Sequence, residues 1–299
     1  MKHCSHCSGF GGGSIGYALV STAALFAFLG RSYYFNPPQR LLLPRIRGNL
    51  LAEESCFNSS DKFVFATLYT APTVCYTVAL GVLLSSFRAV NSTHKLLVLH
   101  ASGVQIPFRL LVLGGAAAEF RSLPLITDQV VAPRLRAMAT KFQLWALCYN
   151  AVAYVDADHV FTLNPDGIFD ACRGSTFCAV LDASPSGKRS RQFNAGAMVL
   201  RPSRQLAEGL LEAYKVRSSW MNAKEIQRSG DQIFLNHEIH NWRALPSTFN
   251  AQHGEKGIII HDKVWKNKSG SFVHVAEHPY ISQLLSECRR AEEGGNRRI

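Results

Sequence analysis

In the segment Ala151-Val152-Ala153-Tyr154-Val155-Asp156-Ala157-Asp158, an apolar run stands directly before two carboxylates one residue apart. The run reads as a buried strand of a parallel sheet. Ligands of open α/β sheets bind at the carboxyl ends of such strands, so Asp156 and Asp158 fall where a site is expected. Asp-x-Asp at a strand end suits a hard divalent cation, which takes oxygen ligands and bridges phosphates. The competing reading is a strand that stops at a polar turn, since Asp favours turns. Taken alone, the segment leaves the two readings even.

On either side of this segment, strands alternate with helices. Lys62–Leu68 reads as an opening strand, and Val74–Arg88 as a helix begun at Pro72-Thr73. Lys95–His100 reads as a second strand, Ile106–Ala118 as a helix weakened by Gly114-Gly115, and Leu125–Val131 as a third strand. Leu135–Tyr149 reads as a helix carrying Lys141. Beyond Asp158 come short strands at Phe177–Leu181, Ala197–Leu200 and Phe272–Val275, with helices at Leu206–Trp220 and Asp231–His240. This alternation predicts βαβ units and a mostly parallel sheet, with an antiparallel edge after residue 176. The first βα turn, Thr67-Leu68-Tyr69-Thr70-Ala71-Pro72, lacks Gly-x-Gly-x-x-Gly, and no Gly-x-x-x-x-Gly-Lys-Ser/Thr occurs. A dinucleotide fingerprint and a P-loop are thereby absent.

The 299 residues allow one large domain or two small ones, and 47% hydrophobic with 18% charged residues supports a packed core. The formal net charge is +11, but the basic residues are dispersed, the densest cluster being Lys188-Arg189-Ser190-Arg191. That pattern reads as a basic surface with no nucleic-acid partner.

From Ser8 to Gly30 there is no charged residue, and Ile15–Leu29 is mostly apolar. A membrane helix needs about 20 such residues and a signal h-region about 7–15. With no small-x-small cleavage site after Leu29, residues 1–30 are read as an uncleaved signal anchor that attaches the chain to a membrane. Residues 31–60, with Pro37-Pro38, Pro44 and Gly48, read as a stem, 61–282 as the folded domain, and 283–299 as a basic tail. Arg31, Arg40, Arg45 and Arg47 follow the span. The positive-inside rule would put the domain in the cytosol; the placement expected is nonetheless a single-pass membrane protein of the Golgi or ER with a lumenal catalytic domain, the cytosolic-facing orientation being the alternative. The eight cysteines do not decide between them: His3-Cys4-Ser5-His6-Cys7 lacks a second pair for a zinc site, and Cys75 and Cys148 read as core thiols. The triplets at Asn58, Asn91 and Asn267 fit the glycosylation pattern.

Several segments, in order, resemble the family 8 retaining glycosyltransferases, the group of glycogenin, galactinol synthase and the plant glycogenin-like glucuronosyltransferases. Thr140-Lys141-Phe142-Gln143-Leu144-Trp145 resembles the family's Thr-Lys-Leu-x-x-Trp, and Tyr154-Val155-Asp156-Ala157-Asp158 its metal motif. Leu163 to Asp170 is similar to the segment that follows that motif. Phe193-Asn194-Ala195-Gly196-Ala197-Met198-Val199 is similar to Phe-Asn-Ser-Gly-Val-Met-Val, and Gly230-Asp231-Gln232-Ile233-Phe234-Leu235-Asn236 to Gly-Asp-Gln-Gly-x-Leu-Asn. The resemblance runs from about Lys62 to Tyr280.

The resemblance implies a GT-A nucleotide-sugar transferase fold of class α/β, with a mixed, mostly parallel central sheet flanked by helices. It implies a UDP-sugar donor, Mn²⁺ or another divalent cation, and transfer of a glucosyl, galactosyl or glucuronosyl group with retention. Asp156, Asp158 and His274 would be the metal ligands. Lys141 would lie over the donor, with Asn194, Ala195 and Gly196 against the sugar, Ala157 beside it, and Asp231 and Gln232 on hydroxyls near the anomeric carbon. Lys141, Asp231 and Gln232 are the catalytic candidates. Thr67 and Tyr76 resemble uridine contacts, across an insertion at Ala71-Pro72.

Two departures stand out. The family ends with His-Phe-x-Gly-x-x-Lys-Pro-Trp, whose Lys binds diphosphate, whereas this chain has His274-Val275-Ala276-Glu277-His278-Pro279-Tyr280. His278 replaces the Lys, and neutral His holds diphosphate less well. His278 stays among the nucleotide-sugar-binding candidates; either activity is weaker, or Lys256, Lys263 or another base substitutes, and the alternative is a catalytically degenerate nucleotide-sugar-binding protein. Secondly, no Tyr lies between Tyr214 and Tyr280, which disfavours self-glucosylation there and favours a separate glycan, glycolipid or protein acceptor. A homodimer is left open, and Arg189 or Arg191 near the sugar would favour a uronic acid donor.

Overall fold

The computed structural model describes residues 62–70, 72–126, 139–184, 186–220, 230–261, 282–283 and 285–290. These lie in one of two compact units of the chain, 47–299; the other, 1–46, falls outside the described residues. The anchor and stem expectations, His274, His278, Lys263 and the strand expected at Phe272–Val275 also lie outside them. No helix among the described residues is long and apolar enough to cross a membrane.

A seven-stranded sheet organises the domain, in the order β3-β2-β1-β4-β7-β6-β8. The parallel part comprises β1 (Phe63–Tyr69), β2 (Leu96–Ala101), β3 (Ala118–Leu123) and β4 (Ala151–Val155). β7 (Arg189–Leu200) runs antiparallel to β4 and to β6 (Phe177–Ala183), and β8 (Arg243–Ala244) closes the edge beside β6. A small second sheet pairs β5 (His159–Phe161) antiparallel with β10 (Ile259–His261), and β10 parallel with β9 (Ala251–Gln252).

The pleat explains the apolar runs. Ala151, Ala153 and Val155 enter one core cluster with Phe65, Leu80, Leu83 and Phe87 of the α1 side. Val152 and Tyr154 enter a second cluster on the other face, with Phe142, Trp145 and Leu210. A strand buried on both faces reads as a continuous hydrophobic run. Helix α1 (Val74–Ala89) begins at Thr73, whose side chain caps the Tyr76 amide. Helix α2 is Phe108–Gly114, α3 Gly167–Ala171, α4 Arg204–Trp220 and α5 Asp231–Glu238.

Several expectations change. The helix expected to reach Ala118 ends at Gly114, where Gly115 turns with φ +51°, and the chain passes through a 3-10 segment, Gly115–Ala117, into β3. Leu125 and Ile126 therefore follow the third strand instead of forming it. The expected helix around Lys141 is a 3-10 segment, Thr140–Ala146. β7 extends well N-terminal to the expected Ala197 start. Cys75 is not a core thiol but is bonded to Cys288, and Cys172 is bonded to Cys178. Cys148 is disulfide-bonded too.

A cavity of about 340 Å³ lined by Phe63, Asn150, Arg173 and Arg201 lies at the starts of β1 and β4. That is the edge of the sheet opposite Asp156.

Candidate functional site

β1 has β2 on one side and β4 on the other, so chain connections diverge between β1 and β4. That switch point is where open α/β sheets bind ligands, at the carboxyl ends of the strands. Asp156 leaves β4 there, and its amide donates to the Gly196 carbonyl at 2.8 Å, carrying the β4–β7 pairing into the site.

One half of the site is a buried charge cluster. Lys141 Nζ lies 3.1 Å from Asp156 Oδ1, contacts Asp231 Oδ2, and donates to the Ala195 carbonyl at 3.2 Å. The ammonium stands 4.6 Å from the Tyr154 ring centroid, and the Tyr154 hydroxyl donates to Asp156 Oδ1 at 2.5 Å. Burial alone would push the Lys141 ammonium down, but the carboxylates of Asp156 and Asp231 raise it well above the ordinary lysine value. The same attraction, against the cost of burial, lowers Asp156. Burial, together with the Asp156 charge, raises the Tyr154 hydroxyl. Tyr214, on α4, is raised by burial and then by Asp231.

The other half holds imidazoles. His261 is the register partner of His159 across the β5–β10 pair, and the two rings stack at 4.1 Å. Asp158 Oδ1 lies 3.5 Å from His261 Nε2 and 3.8 Å from His159 Nδ1. Asp158, His159 and His261 form the group of three potential metal ligands among the described residues, with ligand atoms within 4.8 Å of one another. A carboxylate and two imidazoles suit a divalent cation. Burial, then the charge of His261, pushes the His159 imidazole down to about 3.

β7 joins the halves. Asn194 Nδ2 donates to Asp182 Oδ1 at 2.7 Å, and Asn194 Oδ1 accepts from the Gly196 amide and from Asn250 Nδ2, both at 2.9 Å. Gln232, in the first turn of α5, accepts from the Ala195 amide at 3.1 Å. Asn236 brackets Phe193 with bonds to its amide and carbonyl, fixing α5 against β7. Gly196 is needed for close approach: a Cβ there would lie 2.7 Å from His261 Cε1 and 2.8 Å from Asn194 Oδ1.

Lys141, Asp156, Asp158, Asn194, Ala195, Gly196, Asp231 and Gln232 thus converge, with Ala157 buried between the two aspartates. Asp156 turns its carboxylate to Lys141 and is outside the metal-ligand group. Thr67 is fully buried in β1, and its hydroxyl meets no hydrogen-bond partner among the described residues, whereas Tyr76 is exposed on the first turn of α1. Arg189 is taken up by Glu255 at 2.5 Å and by the Leu181 carbonyl at 3.0 Å. Arg191 and Lys256 are exposed. The sequence reading missed His159, His261, Asp182 and Asn250. The signal for His261 was available: Ile258-Ile259-Ile260-His261 repeats the pattern of an apolar run ending in a ligand-type residue.

With this geometry in view, the structural neighbours are informative. The bifunctional glycosyltransferase WbbM aligns with 76% of this chain and 52% of its own, at TM-score 0.55 and 15% identity. The glycosyltransferase GlyE of Streptococcus pneumoniae aligns with 77% and 63%, at 0.53 and 16%. The galactosyltransferase LgtC, solved with donor and acceptor sugar analogues, aligns with 75% and 95%, at 0.50 and 12%. The fold is GT-A-like. Among curated sequences, the chain is 30% identical over 181 residues to the inositol phosphorylceramide glucuronosyltransferase 1 of Arabidopsis thaliana, covering 60% of this chain and 30% of that protein. It is 26% identical over 223 residues to the putative UDP-glucuronate:xylan alpha-glucuronosyltransferase 5 of the same plant, covering 72% and 36%. The chain spans about a third of the length of these relatives. No family model matches it.

Proposed function

We propose that this protein is a cation-dependent glycosyltransferase that moves a hexosyl group, with retention, from a UDP-sugar to a separate acceptor. The observation that carries the reading is the meeting, at the switch point between β1 and β4, of a carboxylate–imidazole cluster with the Lys141–Asp156–Asp231 cluster. Sugar–diphosphate cleavage needs charge compensation on the leaving group and polar contacts on the sugar, and this site offers both.

Asp158 and His261 are the residues that would hold a divalent cation, which, when bound, stabilises the departing diphosphate as a Lewis acid. His261 would supply an imidazole ligand; the His274 expectation lies outside the described residues. Lys141 stays protonated between two carboxylates and sets a fixed positive charge beside the donor. Gln232 accepts from Ala195 through its oxygen, which leaves its amide nitrogen to donate to a sugar hydroxyl. Asp231, at the N-terminus of α5, offers an acceptor to the same sugar. Ala195 and Gly196 would border the hexose through their backbone.

The names of the two plant relatives favour a glucuronosyl donor and a sphingolipid or glycan acceptor. Arg189, held by Glu255, does not support a uronate contact. The disulfides favour an oxidising compartment, and with it a lumenal placement of the 61–282 domain behind an N-terminal anchor, against the positive charges after the span.

The test is UDP release by the full chain with Mn²⁺ and a panel of UDP-glucuronate, UDP-glucose and UDP-galactose, alongside Asp158→Asn. Release from one donor that the substitution abolishes is the expected result. Tight UDP binding with no release from any donor would replace this reading with a binding protein.

A further inference from the structure

We propose that Asn91 is a site of N-linked glycosylation, carrying an oligosaccharide on the edge of the sheet opposite the donor site. The inference goes beyond the transferase reading of the site and rests on the proposed lumenal placement of the domain.

Asn91-Ser92-Thr93 is one of three triplets with the acceptor pattern, and the one that lies among the described residues. It occupies the connection from α1 to β2. There the chain turns at the starts of the parallel strands, whereas Asp156 and Asp158 follow the end of β4. A bulky group on Asn91 therefore stands clear of the donor site.

The backbone sets how Asn91 is presented. Helix α1 closes at Val90, whose amide donates to the Phe87 carbonyl at 3.3 Å. Asn91 follows in the left-handed region, with φ +49°. After a helix that conformation is taken by Gly or by Asn. The fold thus uses Asn91 through its backbone, and the carbonyl accepts from Asn164 Nδ2 at 3.0 Å. The residue itself is exposed, and its side-chain amide has no hydrogen bond among the described residues.

Ser92 and Thr93 are used differently. Ser92 Oγ donates to Asp166 Oδ1 at 2.5 Å, and the Thr93 amide and hydroxyl donate to Asp166 Oδ2 at 2.9 and 2.7 Å. These bonds hold the triplet in its turn and occupy the hydroxyl that makes it an acceptor. Asp166, however, lies 73 residues further along the chain than Thr93. Chains fold as they emerge, N-terminal part first, so the triplet enters the lumen before its clamp is made. The Asn91 amide is modified first, and Asp166 then closes on Ser92 and Thr93 with the substituted side chain in solvent.

The compartment is the second condition. Cys75–Cys288 and Cys172–Cys178 are disulfides, and such bonds form in the ER lumen, where N-linked transfer also takes place. In that transfer Asn91 Nδ2 bonds to C1 of a lipid-diphosphate-linked oligosaccharide as the C1–O bond to the diphosphate breaks. The lipid diphosphate leaves with that electron pair, the amide gives up one proton to water, and nothing is oxidised or reduced.

The test expresses the full chain in a eukaryotic cell and recovers it in microsomes. Protease added with the membrane intact reports the side on which the domain lies. Trypsin, cutting after Arg88 and Lys95, then isolates the peptide 89–95 from the opened microsomes. Removal of the glycan by an amidase in heavy-oxygen water marks residue 91 wherever a sugar was attached. A protected domain with the mark in the wild-type peptide is expected. Asn91→Gly, a change that suits the left-handed turn, should lose one glycosidase-sensitive step in gel mobility. An unmarked peptide from a protected domain overturns the inference and leaves the lumenal placement standing, whereas a domain digested from outside removes both. If Asn91→Gly does not fold, the wild-type peptide decides the matter.

Discussion

Asp156 and Asp158 are the same residue type, one position apart, and their surroundings are opposite. Asp156 is held by an ammonium and a hydroxyl, with Lys141 at 3.1 Å and Tyr154 at 2.5 Å. Asp158 faces two imidazoles, His261 at 3.5 Å and His159 at 3.8 Å. The first carboxylate is charge-compensated within the protein. The second belongs to the carboxylate–imidazole group that we propose holds a cation. A repeated residue in a short motif therefore need not have a repeated role: the partner elements, the Thr140–Ala146 segment on one side and β10 on the other, decide it.

Substitutions separate the two. Asp158→Asn should cost about a thousandfold in donor turnover, some 4 kcal/mol of barrier, with little change in thermal midpoint. A large loss of stability in that variant would erase the distinction. Lys141→Met should act mainly on folding, because it leaves Asp156 and Asp231 facing each other without their cation. About 3 kcal/mol is expected from urea unfolding.

That second effect carries a pH signature. Asp156 is lowered in the folded state, so its contribution is present above the ordinary carboxylate value of 3.8 and lost as pH falls through its lower folded value. Lys141 is raised, so its share is present below 10.5 and lost only as pH climbs beyond it. The gap between wild type and Lys141→Met should be widest between those limits and narrow in acid. A gap that is flat with pH would show that the lysine's packing, not its charge, matters.

Gly196→Ala probes where the halves touch. The added methyl meets His261 and Asn194, and overpacking of this kind costs about 2 kcal/mol. Cation affinity should fall with it, whereas Gly209→Ala, which meets nothing within 4 Å, should leave cation affinity unchanged.

The parallel half of the sheet was legible because its strands are long apolar runs and its helices follow at once: β1, α1, β2 and β4 lie where periodicity puts them. The Asp156 half of the site was legible for another reason: Lys141, Asn194, Asp231 and Gln232 lie in segments that resemble the motifs of family 8 glycosyltransferases. The imidazole half was not. β5 and β10 have three residues each and pair across a hundred positions of chain; nothing in local periodicity encodes that pairing. His159 and Asn250 stand in no local pattern of the sequence; β10 brings His261 opposite the first, and the Ser247–Asn250 segment brings the amide alongside. β3 was misplaced because two glycines, Gly114 and Gly115, end α2 early. Cys75 carried no local sign of its bond, since its partner is 213 residues away.

That bond has a topological consequence. Cys75 opens α1 beside the exposed Tyr76, and Cys288 lies in the helix at 285–290, so the chain between them forms a covalent ring that contains every element from α1 to β10. A protease that cuts any single peptide bond inside the ring does not release a fragment. The nicked protein should run as one species on a non-reducing gel and fall into two only when thiol is added.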